Sequence, residues 1–139
     1  MTAFHCLIAS TQRELDDALR VRWAVSGARL PRTGHLGVPR QIDCFDTLDT
    51  TVHFVVYADG EPVATTRLLL PDAEVAQTHG PGLIHPGRRV AKTTPAYVLP
   101  AWRGSEALPR MHAALHQESR RLGVTHWMAS ALSSAVPRG

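Results

Sequence analysis

Hydrophobic residues along the 139-residue chain fall into patches of strand-like and helix-like spacing, separated by polar stretches. Ala3 to Ala9 is an apolar run of strand length. Thr11-Gln12-Arg13-Glu14 follows with the T-x-x-E form of a capping box, in which a hydroxyl and a carboxylate each take an unpaired amide at a helix start. Leu15, Ala18, Leu19, Val21, Trp23 and Val25 broadly keep helical spacing, which predicts a helix over Gln12 to Ser26. Val52 to Tyr57 and Pro62 to Leu70 read as two strands joined at Asp59-Gly60, a strong hairpin signal. Arg89 to Leu99 reads as a further strand, interrupted at Thr94-Pro95 because proline cannot donate to a ladder. From Ser105 to Leu122, Leu108, Met111, Leu115 and Leu122 share one helical face, and Gly123 suits the helix end. Val124 to Ala131 is the last strand.

Two segments lack any period. Gly27 to Gln41 is rich in Gly, Pro and Arg and reads as a long functional loop. Pro71 to Gly87 reads as a polar excursion. The order strand, helix, hairpin, strand, helix, strand predicts one mixed α/β domain over residues 1–139.

Charge sharpens the picture when it is split along the chain. Residues 1–70 hold seven Arg against eight Asp/Glu, and residues 71–139 hold eight Lys/Arg against four. Fourteen of the fifteen basic residues are Arg, which suits bidentate contact with phosphate or carboxylate and equally reflects coding bias. No basic run interleaves with aromatics, so nucleic acid is not an expected partner. No apolar run nears the roughly 20 residues of a membrane helix. The N-terminus lacks secretory features, and two cysteines make no disulfide scaffold, so a cytoplasmic protein is expected.

Candidate chemistry concentrates in Val98-Leu99-Pro100-Ala101-Trp102-Arg103-Gly104-Ser105. There a strand ends on an arginine and a glycine before a helix begins. Helix-start amides bind anions when the preceding loop lets backbone come close, and Gly104 permits this while Arg103 adds charge. An ordinary strand-to-helix turn is the alternative.

The segment from Tyr97 to Ser130, YVLPAWRGSEALPRMHAALHQESRRLGVTHWMAS, resembles the acyl-donor segment of GNAT-superfamily acyltransferases. Upstream, Leu19-Arg20-Val21-Arg22-Trp23, Ile42-Asp43-Cys44-Phe45-Asp46 and Ala64-Thr65-Thr66-Arg67-Leu68-Leu69-Leu70-Pro71 are similar to the acyl-homoserine-lactone synthase and N-acyl amino acid synthase branch. The resemblance implies transfer of an acyl group from a phosphopantetheine thioester, on coenzyme A or an acyl-carrier protein, to an amine. No permanently bound cofactor or metal is implied. Signal or secondary-metabolite biosynthesis is the implied setting. Backbone amides around Tyr97 and Val98 would polarise the carbonyl, and Leu99, Arg103, Gly104 and Ser105 would contact the donor. Tyr97 would protonate the leaving thiolate. Trp23, Asp43, Phe45 and Arg67 would form the acceptor side, with Asp46 as its catalytic carboxylate.

Bottom-up alternatives stand beside these roles. Trp23 also reads as core. Asp43 and Asp46 also read as an Asx-turn, and either is the natural partner for Arg67 on its apolar strand. His112 and His116 share a face that reads as solvated. His53 and His126 read as partly buried, satisfied histidines or as bases. Cys6 and Cys44 show no activating partner.

The sequence departs from the superfamily pattern in three places. The donor loop is usually Q/R-x-x-G-x-G/A, but Glu106 and Leu108 hold two of its small positions. Gln41-Ile42-Asp43 and Gly87-Arg88-Arg89 stand where the synthase branch has Glu-x-Asp and E-x-S-R. After Ala131 a further helix and two strands are expected to be missing, so a homodimer is expected to complete the sheet. These departures keep open a non-catalytic binding module, or a scaffold adapted to another reaction on a thioester.

Overall fold

A computed structural model describes residues 1–26, 46, 50–70, 84–85 and 88–129. The elements are β1 (Phe4–Ile8), α1 (Gln12–Ser26), β2 (Thr51–Ala58), β3 (Glu61–Leu69), β4 (Ile84–His85), β5 (Arg88–Thr93), β6 (Tyr97–Val98), a 3-10 turn (Pro100–Trp102), α2 (Ala107–Arg121) and β7 (His126–Ala129). The loop expected over 27–41 lies outside the described residues, as does the segment after 129.

Local chemistry accounts for the first elements. The capping box forms: Glu14 N donates to Thr11 Oγ1 at 3.1 Å and Thr11 N donates to Glu14 Oε1 at 3.2 Å, so α1 begins as the sequence predicts. At the hairpin, Asp59 and Gly60 both take positive φ, 49° and 86°, the pairing that a two-residue turn between twisted strands requires. The Asp59 carboxylate also accepts from Ala3 N at 2.9 Å, which ties the start of β1 to the turn.

Antiparallel pairing orders the strands β1-β2-β3-β5-β4, with β6 on β3 and β7 parallel to β5. Strand β4 falls inside the segment 71–87 read as a polar excursion, and it pairs with β5 through Ile84–Arg89 and His85–Arg88. Two residues carry no detectable period, which is why the pattern misses it.

Side-chain alternation splits the sheet into two faces. Phe54, Val56, Ala64, Leu68 and Ala91 pack with Ala107, Met111 and Leu115 of α2. The opposite face, carrying His53, Val55, Thr65 and Arg67, lies under α1, whose Ala18, Leu19 and Val21 are buried. One expected core residue is displaced. Leu108 is 36% exposed, because Ala107 takes the buried place in the first turn and its neighbour points about 100° away. Glu118 and Ser119 lie in the buried stripe instead. No helix among the described residues is long and apolar enough to cross a membrane.

Candidate active site

The break at Thr94-Pro95 builds the first half of the site. Leu68 pairs with Thr93 and Thr65 pairs with Tyr97, so three steps along β3 face four along the broken strand. One residue is extra, and the strand bulges there. The bulge is held by Thr94 N donating to Arg67 O at 3.2 Å and by Thr66 Oγ1 donating to Thr94 O at 3.1 Å. On the other edge, β7 follows β5 in parallel only from Val90–His126 to Thr93–Ala129. Among the described residues β7 ends at Ala129, opposite Thr93, and β6 pairs with β3 alone.

Strand alternation decides which amide of β6 faces away from β3. Leu99 N donates to Val63 O at 2.9 Å, back towards β3. Amides alternate sides along a strand, so the Val98 N–H points the other way, away from β3. Tyr97 pairs with Thr65 and therefore lies on the α1 face, whereas Val98, Leu99 and Trp102 pack against the α2 core.

The strand then turns into α2. Trp102 N donates to Leu99 O at 2.8 Å, and Ser105 N donates to Trp102 O at 3.2 Å. Gly104 has φ 79°, which favours glycine, and a Cβ there would meet only open space. The Ser105 hydroxyl is engaged at home: it donates to Trp102 O at 2.6 Å and accepts from Ala107 N at 3.2 Å. Gly104, Glu106 and Leu108 keep amides with no hydrogen-bond partner among the described residues, and Pro109 has none to offer. Arg103, next to Gly104 in the chain, is exposed. Open helix-start amides have the polarity to accept an anion, and Glu106 is turned towards Arg110 at 4.0 Å.

On the α1 face sits a buried charged cluster. The Asp46 carboxylate receives Arg22 through both oxygens, at 2.8 and 2.9 Å, and Arg67 through Oδ1 at 2.9 Å. Of the two carboxylates expected to pair with Arg67, Asp46 does so; Asp43 and Phe45 lie outside the described residues. With both oxygens engaged by guanidinium groups, Asp46 is placed to position other groups. His53 is buried beside it, with Nε2 at 3.3 Å from the Asp46 carbonyl oxygen. Burial pushes the His53 pKa down, against the pull of Asp46. Lys92 lies on the same face, and burial and the nearby Arg67 push its pKa down.

Sequence reasoning left Arg22 out of the site. The signal was present: Arg22 stands four residues after Ala18 and three after Leu19, within the buried stripe of α1. Trp23, next to it, is half-buried. His112, His116 and His126 are exposed, and His116 packs edge-on against Trp127 at 4.9 Å. The Cys6 thiol is pushed up to about 11 by burial, so it is un-ionised at neutral pH; Cys44 lies outside the described residues.

A mixed sheet flanked by two helices matches the fold of the GNAT acetyltransferases. An aminoglycoside acetyltransferase from an uncultured soil metagenomic sample, solved with sisomicin, matches with a TM-score of 0.65 at 10% identity, over 96% of this chain and 79% of that one. A ribosomal-protein-alanine N-acetyltransferase from Brucella melitensis biovar Abortus 2308 matches at 0.63 and 13%, over 97% and 84%. An aminoglycoside N-acetyltransferase in complex with CoA matches at 0.63 and 11%, over 96% and 80%. These likenesses support the GNAT fold and do not single out the synthase branch. No protein-family model matches the sequence, and no curated protein is similar enough to match it.

Proposed function

We propose that this protein is an N-acyltransferase that moves an acyl group from an acyl-CoA thioester to an amine. One observation carries the reading: beyond the bulge the Val98 N–H points away from β3, on the side where β7 flanks β5, a few residues before the open start of α2. In the reaction the amine nitrogen attacks the thioester carbonyl carbon. A C–N bond forms, the C–S bond breaks, the amine releases a proton to solvent, and the thiolate takes one up. The Val98 amide donates to the developing oxyanion, and a fixed donor of this kind costs no reorganisation when charge appears. The Tyr97 hydroxyl supplies the thiolate proton. Arg103 and the amides of Gly104 and Glu106 receive the donor's phosphates, with Leu99 and Ser105 shaping the turn. Trp23, Asp43, Phe45 and Arg67 line the acceptor side, and Asp46 holds Arg67 there.

Glu106 favours a carrier-protein donor as a second reading. Its carboxylate sits at the helix start, where it opposes a diphosphate more than the single phosphodiester of a carrier-bound arm. On this reading the product belongs to signal or secondary-metabolite biosynthesis.

The test is melting with and without coenzyme A, together with thiol release from acyl-CoA over a panel of amines. Wild-type protein is expected to melt higher with coenzyme A. Arg103→Ala is expected to weaken binding about 10- to 100-fold, the value of one charge-assisted contact of about 1.5–3 kcal/mol. Stabilisation only by an acyl-carrier protein selects the second reading. No stabilisation by either, with no thiol released, sinks both.

A further inference from the structure

We propose that the recess between the C-terminal half of α2 and the start of β7 is a second binding site, shaped for a small aromatic carboxylate. The recess holds about 250 Å3. Helix α2 supplies His116, Ser119 and Arg120, which lie three or four positions apart and so share one helical edge. The chain entering β7 supplies Thr125, His126 and Trp127. These walls are fixed by the protein's own hydrogen bonds. Trp127 Nε1 donates to the buried Ser119 hydroxyl at 3.0 Å, so the indole's one polar atom is engaged inward and the ring offers carbon to the recess. His116 packs against that ring edge-on, with 73° between the planes, which makes an aromatic corner. Thr125 Oγ1 accepts from Arg89 N at 2.9 Å, and His126 Nδ1 lies 2.9 Å from the same oxygen. Walls held in place beforehand lower the cost of ordering on binding.

Arg120 brings the positive charge. It is exposed, and its side chain makes no hydrogen bond or ion pair among the described residues. Among those residues no carboxylate lines the recess. Glu118 is the only acidic side chain after position 106, and Arg121 holds both its oxygens. A free guanidinium beside an aromatic corner suits a ligand with a ring to stack and a planar anion to take two parallel N–H bonds. Size narrows the class. Pockets for drug-sized ligands run to roughly 300–1,000 Å3, so this recess fits one ring with its carboxylate. From Leu108 to His116 the helix rises about 12 Å, which sets the recess apart from the open start of α2. The inference therefore stands independently of acyl transfer. Because the walls come from both α2 and β7, a bound ligand braces one element against the other.

The test is a titration of the whole protein, followed by the indole N–H signals of its three tryptophans in nitrogen-15 NMR. Trp127→Phe identifies the Trp127 signal. Benzoate is expected to shift that signal and not those of Trp23 and Trp102, saturating in the low-millimolar range. Acetate lacks the ring and benzamide lacks the charge, and each is expected to bind at least about tenfold more weakly. Arg120→Gln, a change at an exposed position, is expected to weaken benzoate by at least about tenfold. Saturating coenzyme A is expected to leave benzoate binding unchanged. The site is overturned if benzoate leaves the Trp127 signal unmoved, if acetate or benzamide binds as well, or if Arg120→Gln keeps full affinity. Tighter binding of phenyl phosphate than of benzoate overturns the carboxylate assignment. Displacement of benzoate by coenzyme A overturns the separateness of the recess. A failed transferase reading shows as no stabilisation by coenzyme A and leaves the benzoate titration legible.

Discussion

At the scale of single residues, Asp46 ties α1 to β3. Its carboxylate is buried and receives three charge-assisted hydrogen bonds from Arg22 and Arg67. Replacing a buried pair by apolar residues is often neutral, but removing one partner leaves charge uncompensated. Asp46→Ala is therefore expected to destabilise the fold by about 3–5 kcal/mol in denaturant unfolding. A loss below about 1 kcal/mol would show the guanidinium groups to be solvated in its absence. The identity of Arg67's partner was narrowed from sequence to Asp43 or Asp46, because an arginine on an Ala-Thr-Leu strand needs a carboxylate. Arg22 was less legible, since a helical arginine next to Trp23 reads equally well as a solvated side chain.

At the scale of elements, α2 is held by its Ala107–Met111–Leu115 stripe. Met111 is fully buried and Leu108 is at the surface. Met111→Ala is expected to cost about 2–5 kcal/mol and Leu108→Ala less than about 1, both read by chemical denaturation. Equal losses would mean that Leu108 is covered in solution. The capping box, the Asp59-Gly60 hairpin and the break at Pro95 were readable because each depends on residues within a few positions of one another. Leu108 and β4 were not. A helical wheel gives a face without saying which edge meets the sheet, and a two-residue strand exists only through its partner.

At the scale of the whole molecule, stability should form a plateau bounded by groups that titrate differently once buried. His53 is pushed down from its ordinary value of 6.5, so below it the unfolded chain binds a proton that the folded one resists. Its stabilising contribution is present above about pH 6.5 and is lost as pH falls towards the depressed folded value. Cys6 is raised from 9.0 to about 11, and Tyr57, whose hydroxyl donates to Asp17 at 2.6 Å, is raised too. Both contribute stability below their unfolded values, and that stability is lost as pH rises through the folded ones. Melting temperature is therefore expected to fall on both sides of a neutral plateau. Cys6→Ser is expected to flatten the alkaline limb, and His53→Gln the acid one. A melting temperature unchanged from pH 7.5 to 5.5 would contradict the burial of a neutral His53.

The sequence by itself determined what depends on near neighbours: two capped or terminated helices, one hairpin, a strand broken by proline, and an arginine and glycine before a helix. Tertiary structure alone decided where the broken strand bulges against β3, which of its amides faces away from β3, and that Arg22, Asp46, His53 and Arg67 meet in one buried cluster. The reason is physical. Local signals are set by backbone torsion and by side chains a few residues apart. A strand bulge and a shared carboxylate depend on register and crossover between segments tens of residues distant, whose pairing no short window of sequence contains.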